Sequence, residues 1–274
     1  MLPVVGQDAL RAHLVAAGLA GTVSTTREQS LVRYRLFAAG DPRALLGLEP
    51  EGVWDLRRLL TLMGSRCGNS PDPRVVTGRE TIDPALTLSA LDVFADRIAR
   101  AASLRSPVLL GTGHPGALLG FYGALAAALE GAGCRVLTPA EGRCIDLATR
   151  FGVRACTLSY VRGVALVRQG ATPCAPDAPG AHTHSPLPLR LALDALAAAG
   201  EPLPGLVIGD HGWACGAGQL GVEAIGPADV NDPAPFVGEA EGRVAVAVPV
   251  DDAARPGSYR ALTRYVLNRA RLSQ

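Results

Sequence analysis

Apolar residues recur at helical spacing through much of the first hundred positions. In the segment VWDLRRLLTLMG, Trp54, Leu56, Leu59, Leu60 and Met63 form one stripe, and LTLSALDVFADRIARAA carries the fullest stripe of the region. Thr25 and Glu28 have the spacing of a capping box ahead of SLVRYRLFAA, where Leu31, Tyr34 and Leu36 supply a partial apolar face. The stretch RCGNSPDPRVVTGRE is too rich in Gly, Pro and Asp to be one regular element. The pattern changes at Pro107. PVLLGTGHPG is a short apolar run entering glycine turns, ALLGFYGALAAALEGAG reads as a helix, and CRVLT reads as a strand that completes a β-α-β-like unit.

Further on, GVRACTLS and GVALVRQ predict adjacent strands joined as a hairpin through SYVRG. PLPLRLALDALAAAG predicts a helix with proline in its first turn and glycine past its end. LPGLVIGDHG, GVEAIGPADVND and GRVAVAVPVDD each predict a buried strand opening into a polar loop, and YRALTRYVLNRA predicts a closing helix. This succession is that of an α/β protein with a Rossmann-like layered core, its sheet mainly parallel or mixed, over residues 106–274. Residues 1–105 form an N-terminal helical region or cap, and no internal repeat is present.

Composition narrows the function classes. The 274 residues include 26 basic and 25 acidic side chains, a net charge of +1, so no broad field exists to gather nucleic acid or anionic lipid. Neither a basic run interleaved with aromatics nor zinc-finger spacing occurs, and nucleic acid is not an expected partner. Asp8 and Arg11 interrupt what a signal peptide would need to keep apolar, and the apolar stretch from Leu118 to Leu129 is too short to span a bilayer. Six scattered cysteines without a C-x-x-C pair fit free thiols in a reducing compartment, so a cytoplasmic, non-membrane protein is expected. The alanine-rich helices leave homo-oligomerisation open.

The uncommon polar residues fall where strand-end loops are expected. Four of the five histidines lie in three such loops: His114 after Gly111-Thr112-Gly113, His182 and His184 in H-T-H-S, and His211 after Asp210. A fourth loop carries Asp229, Asn231 and Asp232. Imidazole and carboxylate groups in such loops can bind a divalent metal and activate water; H-x-H, D-H and N-D-P are equally ordinary loop and helix-start patterns. Asp251 and Asp252 read as a solvated acidic turn as readily as a catalytic one.

GTGHPG has the small residues of a phosphate cradle. It also satisfies G-x-G-x-x-G, but the acidic residue expected after the second strand of a dinucleotide site is missing. Cys144 and Arg150 have C-x5-R spacing, with bulky aliphatics where a phosphate-wrapping loop needs glycine. Arg27 and Arg79, each in a polar break between helices, are candidates to complete an anion site or to be solvated.

The segments GTGHPGALLGFY, EGRCIDLATRFG, GAHTHSPLP, VIGDHGWACGAGQLG and ADVNDPAPFVGEAEGRVAVAVP resemble a group of actinobacterial proteins labelled simply phosphatase, over nearly the full chain. The resemblance implies hydrolysis of a small phosphorylated metabolite and supplies no residue roles. The chain lacks the D-x-D of aspartyl-phosphate enzymes and the R-H-G of phosphohistidine enzymes, which leaves metal-assisted attack by water. On that expectation His182, His184, Asp210, Asn231 and Asp232 hold the ion. Asp210 and His211 carry the catalysis, and Gly111, Thr112, Gly113, His114 and Arg79 bind phosphoryl oxygens. Carboxylate ligands favour Mg²⁺ or Mn²⁺, and the histidines admit Zn²⁺. Two alternatives stay open: a cyclase, lyase or isomerase of a small carboxylate, and a non-catalytic nucleotide or metabolite sensor.

Overall fold

The computed structural model describes residues 6–149, 152–170 and 180–272. Seven strands form a mixed sheet: β3 (Val108–Gly111), β4 (Cys144–Thr149), β5 (Gly152–Val161), β6 (Val164–Gln169), β7 (Leu206–Gly209), β8 (Ala224–Ala228) and β9 (Val246–Pro249), in the order β4-β5-β6-β3-β7-β8-β9. From β6 to β9 all neighbours are parallel, whereas β5 runs antiparallel to both β4 and β6. The expected β5–β6 hairpin is present, with Arg162 at φ 52° and Gly163 at φ 77° in its turn, the positive angles that match strand twist in a two-residue loop.

Five helices cover the sheet: α5 (Pro84–Ser103), α6 (Pro115–Gly131), α7 (Leu187–Ala198), α8 (Gly212–Gln219) and α10 (Arg260–Arg269), with α9 (Pro233–Ala240) lying between β8 and β9 in sequence. β3 shows the two-faced logic. Val108 and Leu110 pack with Leu118 and Leu125 of α6 on one face, and Leu109 packs with Trp213 and Ala217 of α8 on the other. No helix among the described residues is long and apolar enough to cross a membrane.

The N-terminal region holds α1 (Gln7–Ala16), α2 (Arg27–Ala38), α3 (Pro42–Leu45) and α4 (Leu56–Cys67). Its apolar side chains, among them Leu10, Leu31 and Met63, join the same buried cluster as Val108 and Val266. Helices α2, α3 and α4 pack on α9.

Several local expectations are corrected. The region also contains a two-stranded antiparallel sheet, β1 (Gly21–Thr26) with β2 (Arg79–Ile82). The capping box is one residue later than the spacing of Thr25 and Glu28 suggests: Thr26 caps α2 and Gln29 reaches back to it. Thr25 is unavailable because its hydroxyl donates to Asp229 at 2.5 Å. CRVLT makes only one bridge, Val136 to Val108, since Pro139 has no N–H to extend a ladder. Cys144 begins β4, an extended strand and not a loop that could wrap a phosphate; Arg150 and Cys174 lie outside the described residues.

Candidate functional site

Strands β3 and β7 are parallel neighbours whose following helices leave toward opposite faces of the sheet. A crevice opens at the carboxyl ends of such a pair, and the polar loops meet there. The segment carrying His182 and His184 is tied in by a hydrogen bond from the Thr183 N–H to the Gly113 carbonyl, 3.0 Å. Residue 113 has to be glycine for this approach, because a Cβ there would stand 2.2 Å from the Thr183 carbonyl oxygen.

His211 occupies the elbow between β7 and α8 with φ 49° and ψ −126°, a conformation that side chains other than glycine rarely adopt. Such a backbone costs on the order of 1–3 kcal/mol and persists only where its surroundings hold it. Here Asp210 does so: its Oδ2 accepts from His211 Nδ1 at 2.8 Å and from the Gly113 N–H at 3.0 Å. The other ring nitrogen, Nε2, is 3.0 Å from Asp232 Oδ2 and 3.3 Å from Asp252 Oδ2, ionic contacts not aligned as hydrogen bonds. Burial alone would lower the His211 pKa, but the hydrogen bond to Asp210 and the negative charges of Asp232 and Asp252 raise it well above the ordinary value.

The remaining imidazoles surround this ring. His114 stacks on His182 and His184 on His211, with ring centroids 4.0 and 4.1 Å apart. His114 Nδ1 stands 3.5 Å from Asp252 Oδ2. His182 keeps its outer edge in solvent, while loss of water from its inner edge, with His114 and His211 beside it, lowers its pKa to about 4. Burial and the nearby His211 hold His184 well below the ordinary value as well. Burial opposes the ionisation of Asp232, but His184, His211 and Arg33 together lower its pKa well below the usual range. Arg33, on α2, donates through one nitrogen to Asp232 Oδ1 at 2.6 Å and to His184 Nδ1 at 2.8 Å.

Two sets of side chains bring one donor atom each to within 4.8 Å of one another: His114, His182 and His211, and His184, His211 and Asp232. Among the described residues, the buried atoms His114 Nδ1, His211 Nε2 and Asp252 Oδ2 have no hydrogen-bond partner. Buried polar atoms are nearly always paired, so three such atoms within 3.3 to 3.5 Å contacts of each other leave a place for something that is not hydrogen-bonding protein. A divalent cation fits the chemistry. Burial disfavours the charged form of His182 and His184, the buried carboxylates of Asp210, Asp232 and Asp252 surround His211, and that ring already has the carboxylate–imidazole arrangement that orients metal-binding histidines.

The structure therefore gathers His114, His182, His184, Asp210, His211 and Asp232, residues that span about half the chain in sequence. Asp210 stands behind His211 and is outside both converging sets. Asn231 is half-buried on the same turn as Asp232. The 111–114 turn differs from a phosphate cradle. The N–H groups of Thr112, Gly113 and His114 are engaged by the Ala165 carbonyl, Asp210 and the Thr112 hydroxyl, and Gly111 is small because Trp213 fills its Cβ position. Arg79 donates to the Val23 carbonyl, and Arg27 is buried against Glu80; the guanidinium that reaches the cluster is that of Arg33.

Asp251 and Asp252 are buried, 1% and 3% exposed, not a solvated turn. Asp251 accepts from the Ser24 N–H and hydroxyl, and so ties β1 to the end of β9. Asp229 does the same for Thr25, with burial and the nearby Asp252 raising its pKa. Sequence reasoning missed Arg33, which lies inside a helical pattern, and undervalued Asp252. The position of Asp252 just past an apolar strand, like that of Asp210, was the available signal.

Comparison with known proteins agrees in extent. The model of the family described as Phosphatase matches residues 5–274. Phosphatase SCO2771 of Streptomyces coelicolor is 42% identical over 276 residues, covering 99% of this chain and 100% of that protein. By both measures the chain belongs to the Phosphatase family.

Proposed function

We propose that the protein hydrolyses phosphomonoesters of small metabolites with a divalent metal ion held by the histidine–aspartate cluster. The observation that carries this reading is the convergence of two donor sets on buried, unpaired atoms at the sheet's crevice, in a chain of the Phosphatase family. His184, His211 and Asp232 would hold the ion, with His114, His182 and Asp252 completing the surround. Both donor sets use His211, whose Nδ1 is committed to Asp210, so they are alternatives around one ion. When bound, such an ion lowers the pKa of a water and offsets charge on the phosphoryl oxygens.

The protein's own groups do the rest. Asp210 is a positioning residue: it fixes the ring of His211 and the proton on Nδ1. Asp232 and Asp252 hold negative charge against His211 Nε2. His114, one-fifth exposed at its side chain, is the group at the rim placed to give a proton to a leaving alcohol. Helices α2, α3 and α4 of the N-terminal region, with Arg33 reaching the cluster, act as the cap over the crevice, and free buried cysteines such as Cys67 and Cys215 fit work in the cytoplasm. The imidazole-rich donor set favours Zn²⁺, and its aspartates keep Mn²⁺ and Mg²⁺ as the alternatives.

The test is phosphate release from a panel of phosphomonoesters by protein stripped of metal and then reloaded with Zn²⁺, Mn²⁺ or Mg²⁺, with circular dichroism to follow the fold. Turnover should vanish on stripping and return with an imidazole-accepting ion. Full turnover by verified metal-free, folded protein would overturn the reading.

A further inference from the structure

The guanidinium of Arg33 engages two residues that a cation would use. One of its nitrogens donates to His184 Nδ1 at 2.8 Å and to Asp232 Oδ1 at 2.6 Å, and both residues belong to one converging donor set. The pairing with His184 is incompatible with metal ligation by that ring. A nitrogen that accepts from Arg33 carries no proton, so the proton of the neutral imidazole sits on Nε2. If Nδ1 binds the ion, its lone pair is no longer available to Arg33. If Nε2 binds it, the proton moves to Nδ1 and meets the arginine donor head-on.

The geometry points to Arg33 as a stand-in cation that is displaced by the metal and whose released donors then bind the substrate's phosphoryl oxygens. This rests on the metal-assisted reading above and adds an order to it: metal first, phosphate second. Three observations place the released group well. Arg33 is carried by α2, outside the sheet, and its side chain is one-fifth exposed, so it can move without disturbing the core. It lines the same open cleft as His182 and His184. A guanidinium also offers five N–H donors in a planar fork suited to phosphate oxygens, and the N–H groups of the 111–114 turn are already engaged.

The test uses the whole protein and two ligands, Zn²⁺ alone and inorganic phosphate. By titration calorimetry without substrate, Arg33→Ala should bind Zn²⁺ about tenfold more tightly than the parent, because a competing positive charge and its two hydrogen bonds are gone. With Zn²⁺ present, the same variant should bind phosphate about tenfold more weakly, and Arg33→Lys should recover part of that loss. Arg33→Gln, which keeps a hydrogen-bonding group without the charge, guards against misfolding of the alanine variant and should also tighten Zn²⁺. Unchanged or weaker Zn²⁺ binding in folded variants overturns the inference and makes Arg33 a support for the ligands. Unchanged phosphate binding overturns its second half. Absence of Zn²⁺, Mn²⁺ and Mg²⁺ binding in the parent overturns the metal reading itself, an outcome distinct from both.

Discussion

Two arginines of α2 face aspartate or glutamate, and the contrast between them separates support from chemistry. Arg27, in the first turn, is 1% exposed, and its donors go to Glu80, the Val75 carbonyl and the Asp72 carbonyl. Arg33, farther along the same helix, shares one nitrogen between two residues of a cluster that retains unpaired buried atoms. Burial and charge are common to both places. What differs is satisfaction: the donors of Arg27 are each matched, and buried atoms around His211 are not, in company with a strained backbone. A closed network fixes structure, whereas an open one with stored strain is poised for a ligand.

The largest effect should come from the strained elbow. His211→Asn removes Nε2 from both donor sets, and turnover should fall by about 10³-fold with the circular dichroism spectrum retained. A small loss would move the chemistry to another residue and weaken the contrast.

Next comes the closed network. Arg27→Met leaves the buried Glu80 carboxylate without its partner, and urea unfolding should show a loss of about 3 kcal/mol. Turnover per folded molecule should stay near that of the parent. If Arg27→Met instead abolished turnover in folded protein, the two arginines would not be separable in this way.

Asp252→Asn tests the unpaired carboxylate. Its Oδ2 makes no hydrogen bond that the amide would lose, so stability should hold while turnover falls by about 10²-fold and metal affinity drops. Loss of stability without loss of metal affinity would identify Asp252 as structural.

The smallest expected effect is a difference in pH slope. Folded His182 titrates at about 4 and an unfolded histidine near 6.5, so between these values the unfolded chain binds more protons. Stability of the metal-free protein therefore falls as pH drops from 6.5 toward 4, and His182→Asn should make that fall shallower in urea unfolding. His211 has the opposite sign: its raised value contributes stability that is present below the ordinary pKa and lost as pH climbs through the raised one. A slope unchanged by His182→Asn would mean that the ring is hydrated in solution.

Much of this molecule is legible in its sequence because the deciding forces are local. Apolar runs such as VLLG and LVIG bury on both faces, and proline–glycine punctuation frames α7. Histidines placed just beyond such runs mark strand-end loops, and that is why most of the cluster could be named beforehand. Pairing and satisfaction depend on partners that are distant in sequence. Thr25 leaves the capping position for Asp229, the 111–114 turn gives its N–H groups to its own surroundings, and Arg33 meets His184 and Asp232 across 151 and 199 residues. Whether an aspartate is solvated or buried beside two histidines, the choice the sequence left open for Asp252, is set by the elements that close over it. The sequence by itself determined the layered α/β class and the residue types at the strand ends; only the tertiary structure decided which of their polar atoms are left unpaired, because each such atom's environment is built by other parts of the chain.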